Sequence, residues 1–172
     1  MVAAVLLAGC TDTSADAPPL PAPKTFVAGQ VLQVIGDVTG MGVMPAGIPR
    51  GTIDTITFTI GLVPGAKAVN LDNLTVIYAD ALQTVTLTPV PGFMGEPPVG
   101  SWGITGMNKQ FGPPNHRLDF DKQAVITINP RVAIVPGQVI TLAVKPVEGP
   151  AVTTRLLSPS TIVQGENFFT QL

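Results

Sequence analysis

The chain has 172 residues, of which 45 % are hydrophobic and only 12 % charged, with a formal net charge of −2. Ordinary globular chains carry roughly twice that charge, and disordered ones combine low hydrophobicity with high net charge, so the bulk of the sequence reads as one folded domain. Nine Lys and Arg leave no electrostatic footprint for nucleic acid, the single cysteine allows no internal disulfide, and no apolar run reaches the about 18 residues of a membrane-spanning helix.

Residues 1–10 (MVAAVLLAGC) are uncharged and apolar, and no Lys or Arg occurs before Lys24. Leu7-Ala8-Gly9-Cys10 resembles a lipobox, the site at which a lipoprotein cysteine is lipidated and the residues before it are removed. Cys10 is therefore the candidate lipid-attachment site, and the membrane a candidate partner through the N-terminus. A secretory signal normally carries a basic region ahead of its apolar stretch. Its absence gives a second reading, in which translation starts upstream and Met1 to Gly9 are the end of a longer apolar helix. Residues 11–24 (TDTSADAPPLPAPK) are small, acidic and rich in proline, a composition that favours extended polyproline II and reads as a tether.

From Thr25 onward the apolar period is 2, which predicts strands rather than helices. Thr52 to Leu62 contains the unbroken alternation Ile56-Thr57-Phe58-Thr59-Ile60 and ends at the turn signal Val63-Pro64-Gly65-Ala66. Further strands are expected at Val31 to Ile35, Leu74 to Ala79, Thr84 to Thr88, Ser101 to Met107, Ala124 to Ile128, Val139 to Lys145 and Ala151 to Leu157. Each is rich in Val, Ile and Thr and bounded by Gly, Pro, Asn or Asp. Gly36 to Gly51 has five glycines and two prolines and reads as a loop, with long connections also at Pro91 to Gly100 and Phe111 to His116. Strands without an intervening amphipathic helix predict an all-β, immunoglobulin-like β-sandwich over residues 25–172. Ile56, Phe58, Ile60, Val76, Ile126, Leu142 and Val144 are its expected core, together with Trp102 and Phe120.

Catalytic signals are sparse. His116 is the only histidine, so a nucleophile has no second base to choose from, and no GxSxG, phosphate-loop or HExxH pattern occurs. The expectation is no enzyme, no cofactor and no small-molecule substrate. Asp119 and Asp121 flank Phe120, so in a strand they share a face and make a weak candidate for a hard cation. Asn73-Leu74-Thr75 is a sequon, which makes Asn73 a candidate for N-glycosylation. An extracytoplasmic enzyme or sugar-binding module would need a concave aromatic or carboxylate site, for which 5 % aromatic residues leave few candidates.

Several segments, in order, carry a family resemblance. Lys24 to Gly40 is similar to the junction where the N-terminal helix of archaellins, the filament subunits of the archaeal swimming organelle, meets the β-domain. Gly51 to Ile60 with Gly61 to Leu74 resembles the family's next strand and turn, and Arg117 to Ile128 and Leu142 to Arg155 resemble its closing strands. The resemblance implies a β-sandwich forming the outer layer of a motility filament (an archaellum), with copies of the chain or related subunits as partners through sandwich edges and loops. The chain departs from the family at its start, where archaellins have a basic leader and a continuous apolar helix. Two readings follow: a filament subunit whose helix lies upstream, or a lipid-anchored surface protein carrying an archaellin-like interaction domain.

Overall fold

The computed structural model describes residues 27–47, 50–93, 95–113 and 115–172. The apolar segment 1–10 with Cys10 and the tether 11–24 lie outside the described residues. Among the described residues thirteen strands follow in chain order. They are β1 (Leu32–Val43), β2 (Thr52–Leu62), β3 (Val69–Asn70), β4 (Thr75–Ala79), β5 (Thr84–Thr86), β6 (Thr88–Phe93) and β7 (Ser101–Asn108). Then come β8 (Arg117–Leu118), β9 (Gln123–Asn129), β10 (Val139–Lys145), β11 (Val152–Leu157), β12 (Gly165–Phe168) and β13 (Thr170–Gln171). Among the described residues the helical content is a single 3-10 turn, Leu71–Asn73.

The strands form two main sheets, in the orders β12-β1-β2-β9-β7-β6 and β13-β11-β10-β4-β5, with β3 and β8 pairing separately. All pairings are antiparallel except that of β6 with β7. The period-2 pattern decides which side chains face inward. Across the first sheet Ile56, Ile128 and Trp102 lie in one register row and Phe58, Ile126 and Ile104 in the next. The second sheet answers with Val76, Tyr78, Ile140, Leu142, Val144 and Leu156, all buried. Val34, Val38 and Phe58 enclose a small space with Leu142, Val144 and Val152 of the opposite sheet, which is where the two layers meet. All seven aliphatic and aromatic residues expected as core from the strand pattern are buried, as is Trp102.

Three expectations are corrected. Gly36 to Val43 is strand rather than loop, because β1 continues past a bulge between Ile35 and Thr39 and a second irregularity at Met41 and Gly42. Gly36, with φ of 71°, supplies the left-handed residue that the first bulge needs. Phe120 is not core: it is 87 % exposed, in the turn that precedes β9. Asp119 and Asp121 consequently do not alternate along a strand, and Asp121 has a positive φ of 68°.

The sheet edges are blunted. β6 carries Pro89 and Pro91, whose missing N–H groups discourage pairing with a foreign strand, and the other edge strands are two to four residues long. β12 and β13 are separated only by Phe169, which is buried and donates its N–H to the Val38 carbonyl at 3.0 Å. The C-terminal segment thereby passes from one sheet to the other and holds the layers together at that edge.

Candidate assembly surfaces

The outward face of the first sheet is made mainly of short uncharged side chains. Thr39, Thr57 and Thr127 lie in one register row, with Thr55 and Thr59 on either side of Thr57 along β2; Thr39, Thr57 and Thr59 are half-buried, and Thr55 and Thr127 are buried. Their hydroxyls form a chain across three strands, Thr57 Oγ1 lying 3.1 Å from Thr127 Oγ1 and Thr127 Oγ1 lying 2.9 Å from Thr105 Oγ1. The outward face of the second sheet repeats this chemistry, with Thr86, Ile77, Ala143 and Thr153 in one row and Thr84, Ala79, Thr141 and Arg155 in the next. Such faces suit packing against another protein, because Thr and Ala lose little rotamer freedom and, Arg155 apart, these rows present no charge to be desolvated.

The end of the sandwich where β1 begins is different. Leu32 pairs with Leu62, Gly61 with Gln123 and Asn108 with Gln123, so β1, β2, β7 and β9 all close there. The 3-10 turn is capped by Asn70, whose Oδ1 accepts from the Asp72 N–H at 3.0 Å. It is tied to the β8 side by the Leu71 N–H, which donates to the His116 carbonyl at 2.7 Å, and by contact of His116 Nδ1 with Asp72 Oδ1. Asp119 takes Arg117 Nε at 2.7 Å and Lys122 Nζ at 3.1 Å, while Asp121 takes Lys109 Nζ at 2.8 Å. The hydrogen bond from Lys122, then that from Arg117, hold the Asp119 carboxyl below the usual carboxylate range. The two aspartates singled out for a cation thus face separate cationic side chains, and among the described residues no group of three or more His, Cys, Asp or Glu is placed to hold a metal.

The sequon is well presented. Asn73 and Thr75 are both exposed while Leu74 between them is buried, and Asn73 borders a groove of about 260 Å³ that also includes Val31, Val69 and Val147. His116 lines a neighbouring polar depression with Asp72 and Arg117.

At the opposite end, Asp80 closes the β4 to β5 turn. Its Oδ1 accepts from the Leu82 and Gln83 N–H groups at 2.8 and 2.9 Å, and its Oδ2 from the Tyr78 hydroxyl at 3.1 Å. Burial alone would raise the Asp80 pKa, but these donors outweigh it and hold it below the ordinary value. Burial, reinforced by the Asp80 charge, pushes the Tyr78 hydroxyl well above its ordinary value. Asp80→Ala is expected to cost about 1 kcal/mol, the usual loss for a side chain that caps backbone N–H groups. The lowered carboxylates contribute stability above the unfolded-state pKa of about 3.9, lost as pH falls through their folded values; the raised tyrosine contributes stability that is lost as pH rises beyond about 10. Denaturation midpoints measured between pH 2 and 11 should therefore drop at both extremes, with the acid loss smaller in Asp80→Ala.

No protein-family model and no curated protein matches the chain. Solved structures do. An archaeal flagellin, FlaB1 from Methanocaldococcus jannaschii, superposes with a TM-score of 0.61 at 17 % identity, covering 81 % of this chain and 96 % of that one. The archaeal flagellum of Methanospirillum hungatei gives 0.56 at 16 % identity, covering 83 % of this chain and 72 % of that one. The archaellum periplasmic stator complex of FlaF and FlaG from Sulfolobus acidocaldarius gives 0.51 at 15 % identity, covering 81 % and 97 %. The described residues of this chain therefore have the fold of an archaellin-like β-domain.

Proposed function

We propose that the protein is a structural component of an archaeal-type motility apparatus, a subunit or subunit-like part of the archaellum whose β-domain forms the outer surface. The observation that carries this reading is the fold likeness to an archaeal flagellin over 96 % of that chain. The two outward sheet faces support it, since their mainly short and uncharged side chains suit close packing against other subunits. With blunted edges, contacts between subunits run through these faces and the end loops rather than through strand addition. Asn73, exposed at the end of the 3-10 turn, is the site at which a surface glycan would attach.

A second reading rests on Leu7-Ala8-Gly9-Cys10 and the proline-rich segment after it: a lipid-anchored surface protein that uses the same domain for interaction. Intact mass and terminal-peptide analysis of the native protein separates the two. A terminus upstream of Met1 with an attached apolar helix is expected for a filament subunit. A Cys10 terminus carrying a lipid-sized mass makes it the anchored protein.

A further inference from the structure

Two phenylalanines stand almost entirely in solvent, Phe111 at 93 % and Phe120 at 87 % exposure, in a chain that has only seven. Both belong to the connection between β7 and β9, at the end of the sandwich where β1 begins. Isolated exposed apolar residues are ordinary. These two are held on a strained and braced frame. Lys109 and Asp121, on either side of them in sequence, both adopt left-handed backbone, with φ of 57° and 68°, and the same two side chains form the 2.8 Å ion pair that spans the connection. Non-glycine residues keep such conformations only where surrounding structure enforces them. Within the connection, Asp119 pairs with both Arg117 and Lys122, so the aromatic rings are set among paired charges with one positive charge in excess. Phe120 also lines a cleft of about 240 Å³ with Ile35, Leu62, Val63 and Pro64.

The chain itself indicates what this end meets. The described residues start at Val27, itself 66 % exposed, and the Val31 carbonyl accepts from the Val63 N–H at 3.0 Å, beside the Phe120 cleft. The uncharged apolar segment 1–10 is therefore joined to the same end that displays Phe111 and Phe120. Residues 11–26, even fully extended as polyproline II at about 3.1 Å each, reach only about 50 Å. We infer that this end is a lipid-facing surface, with Phe111 and Phe120 entering the interfacial zone of the bilayer that receives the N-terminal segment, and Lys109, Arg117 and Lys122 at headgroup level. Apolar rings that insert while the charged side chains around them stay at headgroup level are the usual chemistry of an interfacial contact. The inference rests on the second, lipid-anchored reading, and concerns how that domain sits on the membrane and not what it assembles with.

The test uses the full chain reconstituted into phosphatidylcholine and phosphatidylglycerol vesicles, with Phe120→Trp as the probe and Leu82→Trp as the control. Leu82 is 90 % exposed, in the β4 to β5 turn at the other end of the sandwich, so neither substitution disturbs the core. The expected result is a blue shift and strong quenching by bromolipids at position 120 and neither at position 82. In a second measurement, removing both rings as Phe111→Ser and Phe120→Ser should lower vesicle partitioning by roughly tenfold for each ring. Position 120 unquenched, or quenched no more than position 82, overturns the inference. So does a blue shift at position 120 that depends on protein concentration and not on lipid, which would assign the rings to contact between copies and leave the proposed assembly standing.

Discussion

Phe58→Asp is expected to remove at least about 4 kcal/mol of stability, enough to unfold a domain whose total is of the order of 5–15 kcal/mol. Phe58 is 2 % exposed and sits where the two sheets meet, in register with Ile126 and enclosed with Leu142 and Val144 of the opposite layer. The substitution empties that position and places an unpaired carboxylate in it. Phe58→Leu, which keeps an apolar side chain of similar bulk, should cost only about 1 kcal/mol. Far-ultraviolet circular dichroism during a thermal melt reads both. A Phe58→Asp melt like that of the unsubstituted chain would refute the placement of β2 between β1 and β9.

Gly42→Ala should cost about 3 kcal/mol, in the upper range for overpacking, although the change is one methyl group. A Cβ at Gly42 would collide with the Val163 carbonyl oxygen, the Asn167 amide and Ile162. The first of these is backbone, and Asn167 is itself held by three bonds: its Oδ1 accepts from the Val163 N–H, and its Nδ2 donates to the carbonyls of Val163 and Gly165. Neither can yield cheaply. Relief would come from lifting β12 off β1, so the loss should be local before it is global. Limited proteolysis should release the last ten or so residues from Gly42→Ala well below its melting temperature, while Gly95→Ala should stay intact, because nothing lies within 4 Å of a Cβ there and its φ is not left-handed. Equal resistance in the two variants would contradict the β1 to β12 pairing.

The same glycine shows why part of the fold was hidden in the sequence. β2, β4, β9 and β10 were legible because their alternation is complete, and a strand with one dry face needs nothing else. The second half of β1 was not, since Gly40 and Gly42 read as loop signals. Here they serve close approach: a Cβ at Gly40 would lie 2.6 Å from Ile53 Cγ2 and 2.9 Å from Phe169 Cε2. β12, only four residues long, is an edge strand defined by a partner far away in sequence, which local pattern does not encode, and the prolines of β6 read as breakers although it pairs with the neighbouring β7.

The surfaces divide in a similar way. The threonines of β2 could be placed on an outward face from alternation alone. Their joining to Thr105 and Thr127 depends on a register between strands 70 residues apart. Phe120 was misread because an isolated aromatic between two aspartates looks like the buried member of a strand. The left-handed conformation of Asp121 turns the chain there instead. Asn73 was found by its motif, and the structure adds its exposure.

Membership of a motility filament is read by shearing filaments from the cells that make this protein and identifying their subunits by mass spectrometry. This chain should be recovered in the filament fraction as an intact β-domain, with its peptides protected from protease along the two threonine-rich faces. Normal filaments that contain none of it, with all of the protein left in the membrane fraction, would contradict a role as a filament subunit.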